Sequence, residues 1–207
     1  HYAKRGGLYG PVVEHLRLHH TVTPATVRGL EYLSALTPHQ PMVALSGSLG
    51  CAFDEVLRVL KCARPEASVA LGLEGGFVGD TTAAARSLGD PASLEGVRPY
   101  FAEGFARLPH PREDAAGFAA AVEAIDPAQI LGVFAEPVQL QTGAPLLAEH
   151  WSAFERLRVA GVPIVSVESA TGGYRSLSED GVHRPFADLG FEPDVRLWAP
   201  APRLGLA

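Results

Sequence analysis

Short apolar runs, each too brief for a stable helix, recur between stretches of helical spacing, and this alternation most restricts the fold. The runs are residues 42–45, 68–73, 130–135, 162–167 and 195–199, with a further short strand predicted at 104–108. A strand apolar at successive positions has both faces covered, which is the habit of parallel sheets. The intervening segments carry the other period. Val27, Leu30, Leu33 and Leu36 repeat on one helical face, after a Thr23-Pro24 start that suits an N-cap followed by a first-turn proline. Phe53, Val56, Leu57 and Leu60 do the same, as do Leu147, Trp151, Phe154 and Leu157 in one amphipathic helix predicted over 145–160 and stopped by Gly161. Residues 81–88 and the Ala-rich 112–125 complete the helices. Strands alternating with helices predict an α/β fold with a mainly parallel sheet and helices on both faces. There is no internal repeat.

The chain has 207 residues, of which 47% are hydrophobic, with a formal net charge of -6. That composition suits a folded domain. Without a dense Lys/Arg cluster, nucleic-acid binding is not expected. No apolar run is long enough to span a bilayer, so a soluble, cytoplasmic protein is the expectation. Residues 1–22 read as a basic, Gly-rich arm with a short helix at 11–20, and residues 23–207 as one domain. The start at His1 suits a domain cut from a longer protein. Cys51 and Cys62 fall on one predicted helix, about 16 Å apart along its axis, too far for a disulfide. They read as small buried thiols.

Several polar groups invite chemistry. His15 and His19, four apart, share a helical face with Glu14 beside them, but two good ligands make an incomplete metal site and a solvated face explains them equally. Ser46-Gly-Ser-Leu-Gly50 before a helix looks like a nucleophile elbow, with Ser48 as nucleophile, Glu168 as acid and His183 as base. A Ser/Gly turn capping a helix is the plainer reading. His110, between Pro109 and Pro111, reads as a solvated loop histidine. Glu136 reads as a strand-end residue that caps a helix. Ser176, Ser178, Glu179 and Asp180 read as a solvated loop, and Trp151 and Phe154 as core.

Four segments resemble class III aminotransferases, a family dependent on pyridoxal phosphate (PLP). Leu33-Ser-Ala-Leu-Thr-Pro38 resembles the helix before the family's first core strand. Glu74-Gly-Gly-Phe-Val-Gly-Asp-Thr81 resembles Glu-Gly-Gly-Tyr-His-Gly-Arg-Thr, and Ala135-Glu-Pro-Val-Gln139 resembles Val-Glu-Pro-Val-Gln. The stretch from Gly161 to Ala201, with Phe186-Ala-Asp-Leu-Gly-Phe-Glu-Pro-Asp194 inside it, resembles the closing segment that carries the family's Asp-Glu-Val-Gln-Thr-Gly and Ala-Lys-Gly. The resemblance covers residues 23–200 and implies the PLP-dependent transferase fold, truncated of its small-domain segments.

It also implies a site. Phe77 matches the aromatic that stacks on the pyridine ring, and Val78 replaces a histidine. Gly47, Ser48 and Gly50 match the phosphate nest at a helix N-terminus. The family's ring-nitrogen Asp falls on Val167, its Gln on Ala170 and its lysine on Pro200. The only lysines are Lys4 and Lys61. Glu168 cannot replace the missing Asp, because neighbours on a strand point to opposite faces. The expectation is therefore a degenerate, catalytically silent domain without cofactor, its pocket vestigial at Gly47, Ser48, Gly50, Phe77, Val167 and Pro200. It would act as a structural or interaction module in a larger biosynthetic protein, or as a homodimer or pseudo-heterodimer with an active subunit. A non-covalent binder of a phosphorylated ligand and a serine hydrolase are the alternatives.

Overall fold

The computed structural model describes residues 27, 28, 31, 35, 46, 48–89, 103–171 and 193–198. Helix α1 (Leu49–Ala63) opens the continuous part, followed by β1 (Val69–Leu73), α2 (Ala83–Leu88), β2 (Phe105–Leu108), α3 (Ala115–Ala124), β3 (Ile130–Ala135), α4 (Ala148–Ala153), α5 (Glu155–Val159), β4 (Ile164–Glu168) and β5 (Val195–Trp198). The five strands form one parallel sheet in the order β2-β1-β3-β4-β5. The expected α/β architecture is present, and the apolar runs at 68–73, 104–108, 130–135, 162–167 and 195–199 each became a strand.

Alternation along the strands sorts the core into two layers. Leu71, Leu73, Val133, Ala135 and Ile164 face a cluster with Phe118, Val122, Trp151, Phe154 and Leu157 of the α3, α4 and α5 side. Ala70, Phe134, Val165, Val167 and Leu197 face the other cluster, with Phe53, Leu60, Ala85 and Leu88 of α1 and α2. In β3 the period is interrupted where Val69 pairs with Ile130 but Ala70 with Gly132. This extra residue shifts the phase, so that Ile130 shares a layer with Val133 and Leu131 shares one with Phe134, each pair three residues apart.

Helix α1 forms because Ser48 caps it, accepting the Cys51 amide at 3.1 Å, and because its apolar residues share one face. Phe53 is fully buried and meets the Phe134 ring edge-on at 4.7 Å. Burying such a ring contributes about 2 kcal/mol, and the aromatic pair about 1 kcal/mol more. Arg64, just past the helix, ties distant backbone together by donating to Ile130 O, Gly161 O and Pro127 O at 3.0, 2.6 and 2.7 Å.

The predicted helix over 145–160 is two helices. At Phe154 the amide bonds to Trp151 O at 3.0 Å, a tight three-residue step, and α5 restarts from there. Trp151, Phe154 and Leu157 are all buried, as expected, but Leu147 is the uncovered N-cap residue of α4. The helix ends with Gly161 N donating to Arg158 O and Val162 N to Leu157 O, a Schellman closure at the predicted stop.

Other expectations are corrected. Cys62 is exposed and Cys51 half-buried, so neither is a core thiol. His110 is buried (2% exposed), not solvated. Val27, Arg28, Glu31 and Ala35 are helical, but Val27 is uncovered. The helix at 11–20 with Glu14, His15 and His19, the strand at 42–45, the loop with Ser176, Ser178, Glu179 and Asp180, and Lys4 lie outside the described residues. No helix of the described residues is long and apolar enough to cross a membrane.

Candidate functional site at the carboxyl ends of the strands

In an open parallel sheet, ligands sit beyond the carboxyl ends of the strands, where the chain order reverses. Here the reversal is at β1, with β2 added on one side and β3 on the other. The loop after β1 carries Glu74 to Thr82, and the loop after β3 carries Glu136 to Leu147. Both bear the segments singled out in the sequence.

Glu136 joins these loops. It is 3% exposed. Its Oε2 accepts the Phe77 amide at 2.8 Å and its Oε1 the Leu140 amide at 3.1 Å. Ser169, just past β4, donates its hydroxyl to the same Oε1. Burial pushes the Glu136 carboxyl up to about 7, against the downward pull of the Ser169, Phe77 and Leu140 hydrogen bonds. Gln139, also buried, donates to Glu74 O at 2.8 Å and accepts the Thr142 hydroxyl at 2.7 Å. Glu136 was expected only to cap a helix; it ties three strand ends together. Its place in the Glu-Pro-Val-Gln motif was the one signal, while Ser169 offered none.

The N-terminus of α1 meets the same loop. Ser48 Oγ lies 2.8 Å from Thr81 Oγ1. Gly79, at φ 119°, approaches so closely that a Cβ there would lie 2.6 Å from Gly50 N. Only glycine suits both that conformation and that approach. Phe77 is half-buried beside Glu136, and Val78 is buried in the α1 and α2 layer together with Val167. The structure thus gathers Ser48, Gly50, Phe77 and Val167 around one end of the sheet. Gly47, Pro200 and His183 lie outside the described residues.

Two readings of Ser48 separate here. Its backbone is extended (φ -159°, ψ 167°) and its hydroxyl is the α1 N-cap, whereas a nucleophile elbow needs a sharp, strained turn. Glu168, the suggested acid, is fully buried on β4, accepts the Ser166 hydroxyl at 3.1 Å and lies 3.9 Å from Arg196 Nε. It faces away from the layer that holds Val167.

No protein-family model and no curated protein matches the chain. Solved structures do. An omega-aminotransferase from Paracoccus denitrificans is 22% identical with a TM-score of 0.71, covering 85% of this chain and 43% of that one. The PMP-bound aminotransferase from Vibrio fluvialis is 21% identical with a TM-score of 0.67, covering 89% and 46%. A PLP-bound aminotransferase mutant from Vibrio fluvialis is 20% identical with a TM-score of 0.67, covering 86% and 43%. The fold is therefore that of the PLP-dependent transaminases, and the chain spans less than half the length of these neighbours.

The expectation of no cofactor is corrected by these neighbours, since the PLP-bound and PMP-bound forms among them point to PLP. The described residues fit such a ligand in part. The capped N-terminus of α1 suits a phosphate, and half-buried Phe77 suits a ring. Val167, on which the resemblance puts the ring-nitrogen carboxylate, is fully buried in an apolar layer and supplies no such group.

Proposed function

We propose that this chain is an aminotransferase-fold domain that has left transamination and serves as a structural or interaction module. It would work within a larger biosynthetic protein or beside a partner subunit, with the large-domain face as its dimer surface. Its ligand on this reading is PLP or a related phosphorylated ring, held without a covalent bond. Bound PLP supplies an electron sink only when a carboxylate keeps its ring nitrogen protonated and a lysine engages its aldehyde. The chain's residues would hold the phosphate at Ser48 and Gly50 and cover one ring face with Phe77.

The observation that carries the reading is the place of Lys61, one of two lysines in the chain. Its Nζ donates to Pro65 O at 2.6 Å and to Ala67 O at 2.7 Å, residues that precede β1. Lys61 is therefore fastened at the amino end of the strands, and the candidate site lies at their carboxyl end. Buried Val167 supports the same reading.

Titration with PLP, followed by absorbance, thermal unfolding and borohydride treatment, tests it. Saturable stabilisation without a borohydride-fixed lysine adduct is the expected result, since a ligand bound only to the native state raises stability by mass action. A fixed adduct on a lysine, with amino transfer to a keto acid, would overturn it.

A further inference from the structure

We propose that Glu136 is a proton-operated clasp: protonated, it holds the Phe77 loop, the loop after β3 and the end of β4 together, and on losing its proton it loosens them.

Burial favours the neutral form, against the pull of the three hydrogen-bond donors. Glu136 is buried, and its partners are two backbone amides and one hydroxyl, with no cation among them. An ionised carboxylate there loses its water and gains no opposite charge from the described residues, which is costly. On the elements that meet at Glu136, the described ionisable side chains are acidic: Glu74 and Asp80 on the loop after β1, both exposed, and Glu168 on β4, which lies beside Arg196 of β5. The loop from Pro137 to Leu147 carries none. None of these supplies a positive charge to the Glu136 carboxylate.

Protonation costs the junction no hydrogen bond. Oε2 goes on accepting from Phe77 and Oε1 from Leu140, while Ser169 turns from donor to acceptor, because a hydroxyl can do either. The clasp therefore keeps its hydrogen bonds in both states, and the charged one alone bears the cost of lost hydration. Its moving part is the Phe77 loop, the same loop that packs Gly79 on α1. Proton loss at Glu136 would thus reach the mouth of the candidate site.

The test is hydrogen–deuterium exchange of residues 74–81 and 137–140 in the 207-residue chain between pH 5 and 9, corrected for the intrinsic exchange rate. Opening releases the proton, so protection should fall by up to about tenfold per pH unit from the ordinary carboxyl range upward. It should level off above pH 7, where the closed form has lost the proton as well. In Glu136→Gln the pH dependence should vanish. A carboxyl ¹³C titration of the unmodified chain gives a second readout that needs no variant, with a Glu136 midpoint near neutrality expected. Protection flat with pH in the unmodified chain, or a Glu136 midpoint in the ordinary carboxyl range, overturns the proposal.

Discussion

Val167 and Glu168 are adjacent on β4 and face opposite layers of the fold. Val167 is fully buried with the apolar α1 and α2 layer, while Glu168 accepts the Ser166 hydroxyl and lies 3.9 Å from Arg196. One residue of offset moves a strand side chain to the other face. Glu168 thus cannot serve a ring placed against Val167.

Placing a carboxylate at that position is expected to harm the fold. Val167→Asp should lower stability by about 3 kcal/mol or more, since a buried, unpaired carboxylate has no compensation. The loss should grow with pH as the new group ionises. Urea unfolding at pH 5 and pH 8 checks this. A variant as stable as the parent at both pH values would show that the Val167 site admits water or a cation.

Gly79 and Gly143 together test the contact between the Phe77 loop and α1, although φ 119° at Gly79 adds backbone strain that φ 69° at Gly143 does not. Both have positive φ, 119° and 69°, but a Cβ on Gly79 would strike Gly50 and one on Gly143 meets nothing within 4 Å. Gly143→Ala should cost about 1 kcal/mol, the price of a left-handed alanine. Gly79→Ala should cost several times more and weaken PLP binding, because the loop must leave the α1 N-terminus. Equal losses in thermal unfolding would mean that the contact contributes little.

His110 should make the protein sensitive to acid. Its Nδ1 accepts the Arg112 amide at 3.2 Å, and its Nε2 has no partner among the described residues. Burial lowers its pKa below the ordinary 6.5; Glu113 opposes this, and His150 and Arg112 add to it. The folded state then binds fewer protons than the unfolded one. Its stability contribution is full above pH 6.5 and is lost as the pH falls through the lowered value. Glu136 has the opposite sign: its contribution is full below the ordinary carboxyl value of 4.5 and is lost as the pH rises through about 7. In His110→Phe the acid-side loss should shrink while the slope due to Glu136 remains. Guanidinium midpoints at pH 5, 6 and 7.5 measure both, and an unchanged acid limb in the variant would assign that loss to other groups.

Much of the fold was legible because its signals are local. An apolar run such as 130–135 has no polar face to show water, so it is a central strand wherever it sits, and it became β3. Ser48 and Gly161 marked helix ends by their own backbone chemistry. The count and positions of the lysines are likewise sequence facts. The rest depended on partners far along the chain. Glu136 became buried because residues 77, 140 and 169 converge on it, and a motif cannot reveal which donors will meet its oxygens. His110 looked solvated between two prolines but is covered by the fold. The even spacing of Trp151, Phe154 and Leu157 concealed a break at Phe154, because period reports which face is apolar and not whether the backbone stays regular. Sequence alone determined the alternation of strands and helices and the supply of only two lysines, Lys4 and Lys61. Tertiary structure decided which end of the sheet each polar group occupies and whether water reaches it, since both follow from strand order and register.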